Sequence, residues 1–252
     1  MYLIPEKAEL MRKELFNYIM DLELIPPTSD INDDIIHVAS TSSKIELIAT
    51  DTITATIQAH KNNPNSRIAI LNFASYKNPG GGFMNNMYAQ EEAICYCTNL
   101  FYELVNYSDW YKHPLNNGLY DNKSILSHNI AVVASERGNL LPPDEVFYID
   151  VLTCAAPNLS SVLTYRPSLK EVAENISRDR VAYVMDIFAN NHYDTIILGA
   201  FGCGVFKNDP NVIASAFKTY INNNSDKFKN IIFAIPDKTS KNYQAFKNIF
   251  EF

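Results

Sequence analysis

The chain has 252 residues, 47% hydrophobic and 19% charged, the composition of a globular protein long enough to bury its own core. A net charge of −7 with only six arginines excludes a broad basic face for duplex nucleic acid, because such binding rests on neutralising phosphates. No apolar run approaches the ~20 residues of a membrane-spanning helix, so no membrane partner is expected.

Residues 6–22 (EKAELMRKELFNYIMDL) have helical periodicity, with Leu10, Leu15, Tyr18 and Ile19 near one face. The first sixteen residues lack the continuous apolar stretch of a signal peptide, which points to a cytoplasmic protein. Pro26-Pro27 end this helix and TSDINDD reads as an exposed connection. Residues 1–33 are therefore read as an N-terminal helical extension, and 34–252 as the main domain.

Ile35 to Ala39 read as a short strand. Ser43-x-x-Glu46 has the form of a capping box that opens a helix to about His60, with Ile45, Ile48, Ile53 and Ile57 facing a sheet. After a turn at Asn62–Ser66, the apolar run Ile68–Phe73 predicts a buried strand. Gly80-Gly81-Gly82 follow, then a seven-residue spacer and Gln90-Glu91-Glu92. Ile94, Cys97, Phe101 and Leu104 continue with helical spacing.

Tyr107–Asn122 is irregular and aromatic, an expected surface loop. Strands are expected at Ile130–Ser135 and Val146–Cys154, separated by the Leu141-Pro142-Pro143 break. A helix over 168–190 carries Val172, Ile176, Val181, Val184 and Ile187. The strand Thr195–Leu198 leads into GAFGCGVFKNDP, where Asp209 suits an N-cap and Pro210 the first helical position. Ile213, Ala216, Phe217 and Tyr220 mark the next buried face, and a strand at Ile231–Ile235 and a helix at 239–251 complete the chain. Strands alternating with helices predict an α/β fold with a mainly parallel or mixed sheet flanked by helices.

Only eight glycines occur, and six stand in two clusters, Gly80 to Gly82 and Gly199, Gly202 and Gly204. Both clusters follow a strand and precede a helix, where backbone N–H groups and a helix N-terminus can hold a phosphate. Neither is a Walker loop or a dinucleotide fingerprint. Glu91 and Glu92 admit two readings: first-turn acids that complement the helix dipole, or acid–base groups with two different roles. The five histidines show no ligand spacing, Cys95-x-Cys97 points to two sides of a helix, and no nucleophile has a visible base. No metal and no cofactor are expected.

Taken together, the glycine triplet, the spacer and Gln90-Glu91-Glu92 resemble the signature of microbial-type poly(ADP-ribose) glycohydrolase, a macrodomain-related family. CAAPN at 154–158 and LGAFGCGVFKND at 198–209 are similar to its later blocks in the same order, so the resemblance spans 35–236. It implies a macrodomain-like fold and hydrolysis of ribose–ribose O-glycosidic bonds in poly(ADP-ribose), releasing ADP-ribose. Glu92 would be the general acid and base, and Glu91 would hold the distal ribose. Gly80, Gly81 and Gly82 would line the diphosphate and that ribose. Gly202, Cys203, Gly204 and Val205 would form a second diphosphate loop, with Phe206 packed on the ligand and Asn72 and Gln90 orienting ribose and acid. The implied partners are ADP-ribose, its polymer and ADP-ribosylated proteins, acted on by a monomer. Two alternatives remain open: a reader that binds ADP-ribose without cleaving it, and a hydrolase of single protein-linked units.

Overall fold

The computed structural model describes residues 3–24, 43–112, 118–135 and 138–252. Helix α1 spans Pro5–Asp21, with proline at a position whose N–H has no intrahelical acceptor. Strand β1 (Lys44–Ile48) leads to α2 (Thr52–Asn62), and β2 (Ile68–Phe73) leads through the first glycine cluster to α3 (Gln90–Cys97). The short helices α4 (Leu100–Leu104) and α5 (Ser108–Tyr111) precede β3 (Ser124–Val132), β4 (Ala134–Ser135) and β5 (Asn139–Leu140). Strand β6 (Phe147–Cys154) is followed by α6 (Leu159–Tyr165) and α7 (Lys170–Asn190). Strand β7 (Thr195–Leu198), α8 (Pro210–Asn223), β8 (Asn230–Ala234) and α9 (Lys241–Phe250) close the fold.

Six strands form one sheet in the order β1-β8-β7-β2-β6-β3. The first five are parallel, and β3 runs antiparallel on β6 at one edge. A parallel strand covered on both faces needs apolar side chains at every position, which is why β2 is a continuous run. Its two-residue period sends Ile68 and Ile70 into a core shared with α1, α2 and α3. Ala69 and Leu71 go to the opposite core, built with α7, α8 and α9. The same alternation puts Asn72 on the α3 side.

Helix α1 buries Ala8, Met11, Leu15 and Ile19 in the first of these cores. Leu10 is instead 55% exposed, because the buried stripe runs one residue further along than its apolar spacing predicts. The helix expected from Ser43 is not there. Residues 44–48 pair in parallel with β8, and the Ser43 hydroxyl donates to the carbonyls of Ser225 and Phe228. Helix α2 starts later, capped by Asp51, whose carboxylate accepts the Thr54 N–H at 2.9 Å. The sequence KIELI suits a strand as well as a helix, and pairing with β8 outweighs the local capping signal.

Further differences have similar causes. The helix after Gln90 breaks at Thr98, which bridges to Val132, so Phe101 and Leu104 belong to a second helix. Val172 is exposed, and Ala173, Ser177 and Arg180 carry the buried face of α7. On α8, Ala214 and Ile221 join Ile213 and Phe217 in the core, leaving Ala216 and Tyr220 half-buried. The Tyr107–Asn122 stretch holds α5 and the buried ring of Tyr111. The strand expected at Ile35–Ala39 lies outside the described residues.

Candidate active site

The carboxyl ends of β2 and β7 carry the two glycine clusters, and Gln90 fixes how α3 meets the first of them. Its Oε1 accepts the Phe73 N–H at 2.9 Å, while its Nε2 donates to the Leu71 carbonyl at 2.8 Å and the Thr52 hydroxyl at 3.2 Å. The start of α3 is thereby tied to the end of β2. The next two side chains leave the helix about 100° apart and take different partners. Glu91 turns toward the strand end, where Oε2 accepts the Ser75 N–H at 2.6 Å and Oε1 lies 3.4 Å from the Asn72 Nδ2. Glu92 turns back along the loop, accepting the Gly82 N–H at 2.7 Å and the Ala89 N–H at 2.8 Å. Both are buried, and the N-terminal end of the helix dipole favours negative charge there.

The glycines are required by close approach as well as by backbone angle. Gly81 has φ +61°, and a Cβ there would stand 2.5 Å from the Glu92 Oε1 and 2.8 Å from the Glu91 Oε2. Both carboxylates therefore converge on this one residue. Gly80, at φ +64°, lies against Phe101 behind the loop.

The opposite wall is the loop after β7. A Cβ at Gly202 (φ +71°) would meet Ala156 and the Asn208 Nδ2, each at 2.5 Å. Asn208 ties this loop to the end of β6, donating to the carbonyls of Pro157 at 2.8 Å and Gly202 at 3.0 Å and accepting from Ser177. The N–H groups of Gly204, Val205 and Phe206 donate to no backbone carbonyl of the described residues, which leaves donors for an anion.

Between the walls lies a cleft of about 370 Å³, the size of a small-molecule site. Gly81, Gly82, Gln90, Glu91 and Glu92 line one side, and Gly202, Gly204, Val205 and Phe206 the other. Asn72, Gly80 and Cys203 do not line it. Asn72 acts on Glu91 from behind, and the Cys203 Sγ sits 3.6 Å from the Phe201 carbonyl. Sequence reasoning missed Ser75, Asn78, Asn85, Met87 and Ala156, which also line the cleft. Polar residues in a loop between strand and helix were the available signal. Of the histidines, His60 stacks on Phe147 and His128 pairs with Asp150 at 2.8 Å, away from these walls.

Burial is the main force on Glu91 and pushes its pKa up to about 8. The Glu92 charge adds to this, while the Ser75 N–H and Asn72 pull it back. The folded protein therefore keeps a proton on Glu91 between pH 4.5 and 8, whereas the unfolded chain loses it. Folding stability from this group is greatest below pH 4.5 and falls as pH rises toward 8. Glu91→Gln removes the ionisation, and its carbonyl oxygen can keep the Ser75 N–H. Its melting temperature should exceed the parent's by several degrees at pH 8, with the gap closing toward pH 4.5. A pH-independent gap, followed by calorimetry, would count against a neutral Glu91.

The family model described as microbial-type PARG, catalytic domain, matches residues 5–135. That span takes in α1, the first glycine loop and both glutamates. Among solved structures, poly(ADP-ribose) glycohydrolase from Deinococcus radiodurans in complex with ADP-ribose is 27% identical, with a TM-score of 0.77 over 99% of this chain and 93% of that one. The poly(ADP-ribose) glycohydrolase from Thermomonospora curvata bound to the inhibitor ADP-HPD is 28% identical, with a TM-score of 0.73 over 82% of this chain and 78% of that one. No curated protein matches the chain.

Proposed function

Because the chain belongs to the family of microbial-type poly(ADP-ribose) glycohydrolases, it is a glycosidase of poly(ADP-ribose), and we propose that Glu92 is its general acid and base. The observation that carries the assignment is the convergence of two buried carboxylates on Gly81, inside a cleft walled by two glycine loops. The ligand is a terminal ADP-ribosyl unit. Its diphosphate lies between Gly81–Gly82 and Gly202–Val205, its distal ribose against Glu91, and Phe206 packs on it. Asn72 orients Glu91, and Gln90 orients the pair by fixing the start of α3. An acidic protein can hold this polyanion because backbone N–H groups, and not basic side chains, supply the donors.

In the reaction, Glu92 first takes up a proton and then gives it to the oxygen leaving the ribose–ribose bond as the C–O bond breaks through an oxocarbenium-like state. The Glu92 carboxylate then takes a proton from the water whose oxygen bonds to the anomeric carbon, and the acid is restored. Glu91, neutral near pH 7, hydrogen-bonds a ribose hydroxyl and places the sugar. We read α1 as a helical extension that completes the core of the catalytic domain, since its buried face belongs to the same core as α3.

The direct test is release of ADP-ribose from purified polymer, followed chromatographically, with ADP-ribose binding measured in parallel. Multiple-turnover release supports the reading. Tight binding with no release would make the protein a reader, and release only from singly modified protein would narrow its substrate to the protein-linked unit.

A further inference from the structure

Helix α7 carries a guanidinium that the reaction just described does not use. Arg180 is only 1% exposed and, among the described residues, forms no ion pair with a carboxylate. Its three nitrogens go to three loop groups instead. NH1 donates to the Ala155 carbonyl, Nε to the Asn122 Oδ1 at 2.7 Å, and NH2 to the Tyr120 carbonyl at 3.3 Å. Burying a charge this way is costly unless all its donors are satisfied, and the planar fork of arginine suits three separate acceptors. Ala155 precedes Ala156, which lines the cleft, so one side chain ties the cleft floor to residues 120–122.

What it holds there is a strained tyrosine. Tyr120 has φ +59°, a left-handed conformation that glycine or asparagine adopts at lower cost. Its ring stacks on Tyr76 at 3.8 Å and 10°, and faces Phe206 at 6.2 Å. Tyr76 in turn donates to the Asp121 Oδ1 at 2.8 Å and lies 5.9 Å from Trp110. A brace for the fold alone does not require an aromatic ring at this backbone angle. Strain kept beside Phe206, which lines the cleft, is a pointer to function.

We propose that Arg180 is a positioning residue for the substrate, holding residues 120–122 so that Tyr120 and Phe206 form an aromatic wall that grips the ADP-ribosyl unit at the rim of the cleft. The inference rests on the reading of the site given above. Its effect falls on binding, because Arg180 touches neither Glu91 nor Glu92, and stacking against an aromatic face is the physical gain.

Tyr120→Gly separates this role from a structural one, since it relieves the backbone angle and leaves the carbonyl that Arg180 holds. It should raise the KM for polymer and the Kd for ADP-ribose by about tenfold, the scale of one lost stacking contact, with kcat nearly unchanged. Arg180→Lys keeps the charge but cannot span three acceptors, so it should shift KM and Kd in the same direction. The double variant should show little further rise. Trp110, the single tryptophan, gives a fluorescence readout of ADP-ribose binding beside this wall. An unchanged Kd in Tyr120→Gly would overturn the proposal, as would an Arg180→Lys variant that loses only stability or kcat. If Arg180→Lys does not fold, Tyr120→Gly alone decides. A parent that binds ADP-ribose without releasing it would sink the assigned reaction and leave the wall to be judged on Kd.

Discussion

Glu92→Gln should lower ADP-ribose release by about 10²–10⁴-fold, the usual loss when a general acid, the role proposed for Glu92, is removed. Glutamine keeps the volume of the side chain and one carbonyl oxygen, so the cleft keeps its shape. It cannot keep both hydrogen bonds, because the two Glu92 oxygens each accept a backbone N–H, from Gly82 and from Ala89. The new NH2 group must face one of those donors, and the orphaned N–H costs about 1–3 kcal/mol of stability. The melting temperature therefore falls while the folded variant still binds ADP-ribose. Glu91→Gln serves as the comparison. Its carboxyl is held neutral at pH 7 by burial, and its proposed work is to place the ribose, so its rate should fall less than that of Glu92→Gln. If Glu91→Gln proves the more damaging of the two, the acid is Glu91 and the roles are reversed.

Gly81→Ala should be nearly as harmful with only one methyl added. The new Cβ would lie 2.5 Å from the Glu92 Oε1 and 2.8 Å from the Glu91 Oε2, distances that no relaxed structure tolerates. These oxygens are not free chain ends that can swing aside. They are pinned by the N–H groups of Gly82 and Ser75. Alanine at φ +61° adds roughly 1–2 kcal/mol of backbone strain. Either the loop moves away from the glutamates or both carboxylates move, and a misplacement of about 1 Å can cost ~10²-fold in rate. Steady-state kinetics should show kcat down by that order while the protein still folds. Parent-like kcat in a folded Gly81→Ala protein would mean that the two carboxylates need not stay where they stand.

Much of this architecture was legible before any coordinates. The continuous apolar run of β2, Asp209-Pro210 at the start of α8, and both glycine clusters carry their meaning within a few residues. So does the Gln90-Glu91-Glu92 helix start, because strand period, capping chemistry and helix dipole act over short distances along the chain. Tertiary contacts decided what lay beyond that range. Pairing with β8 turned residues 44–48 from an expected helix into a strand, and a bridge to Val132 split the helix after Thr98. Glu91 and Glu92 have different surroundings because Asn72 and Ser75 reach one carboxylate, and the N–H groups of Gly82 and Ala89 reach the other. Arg180 and Tyr120 are 60 residues apart, and no spacing rule joins them. Local signals can specify which backbone shapes are favourable; burial, charge and register depend on which distant groups the fold brings together, and the chemistry of this cleft is set by those.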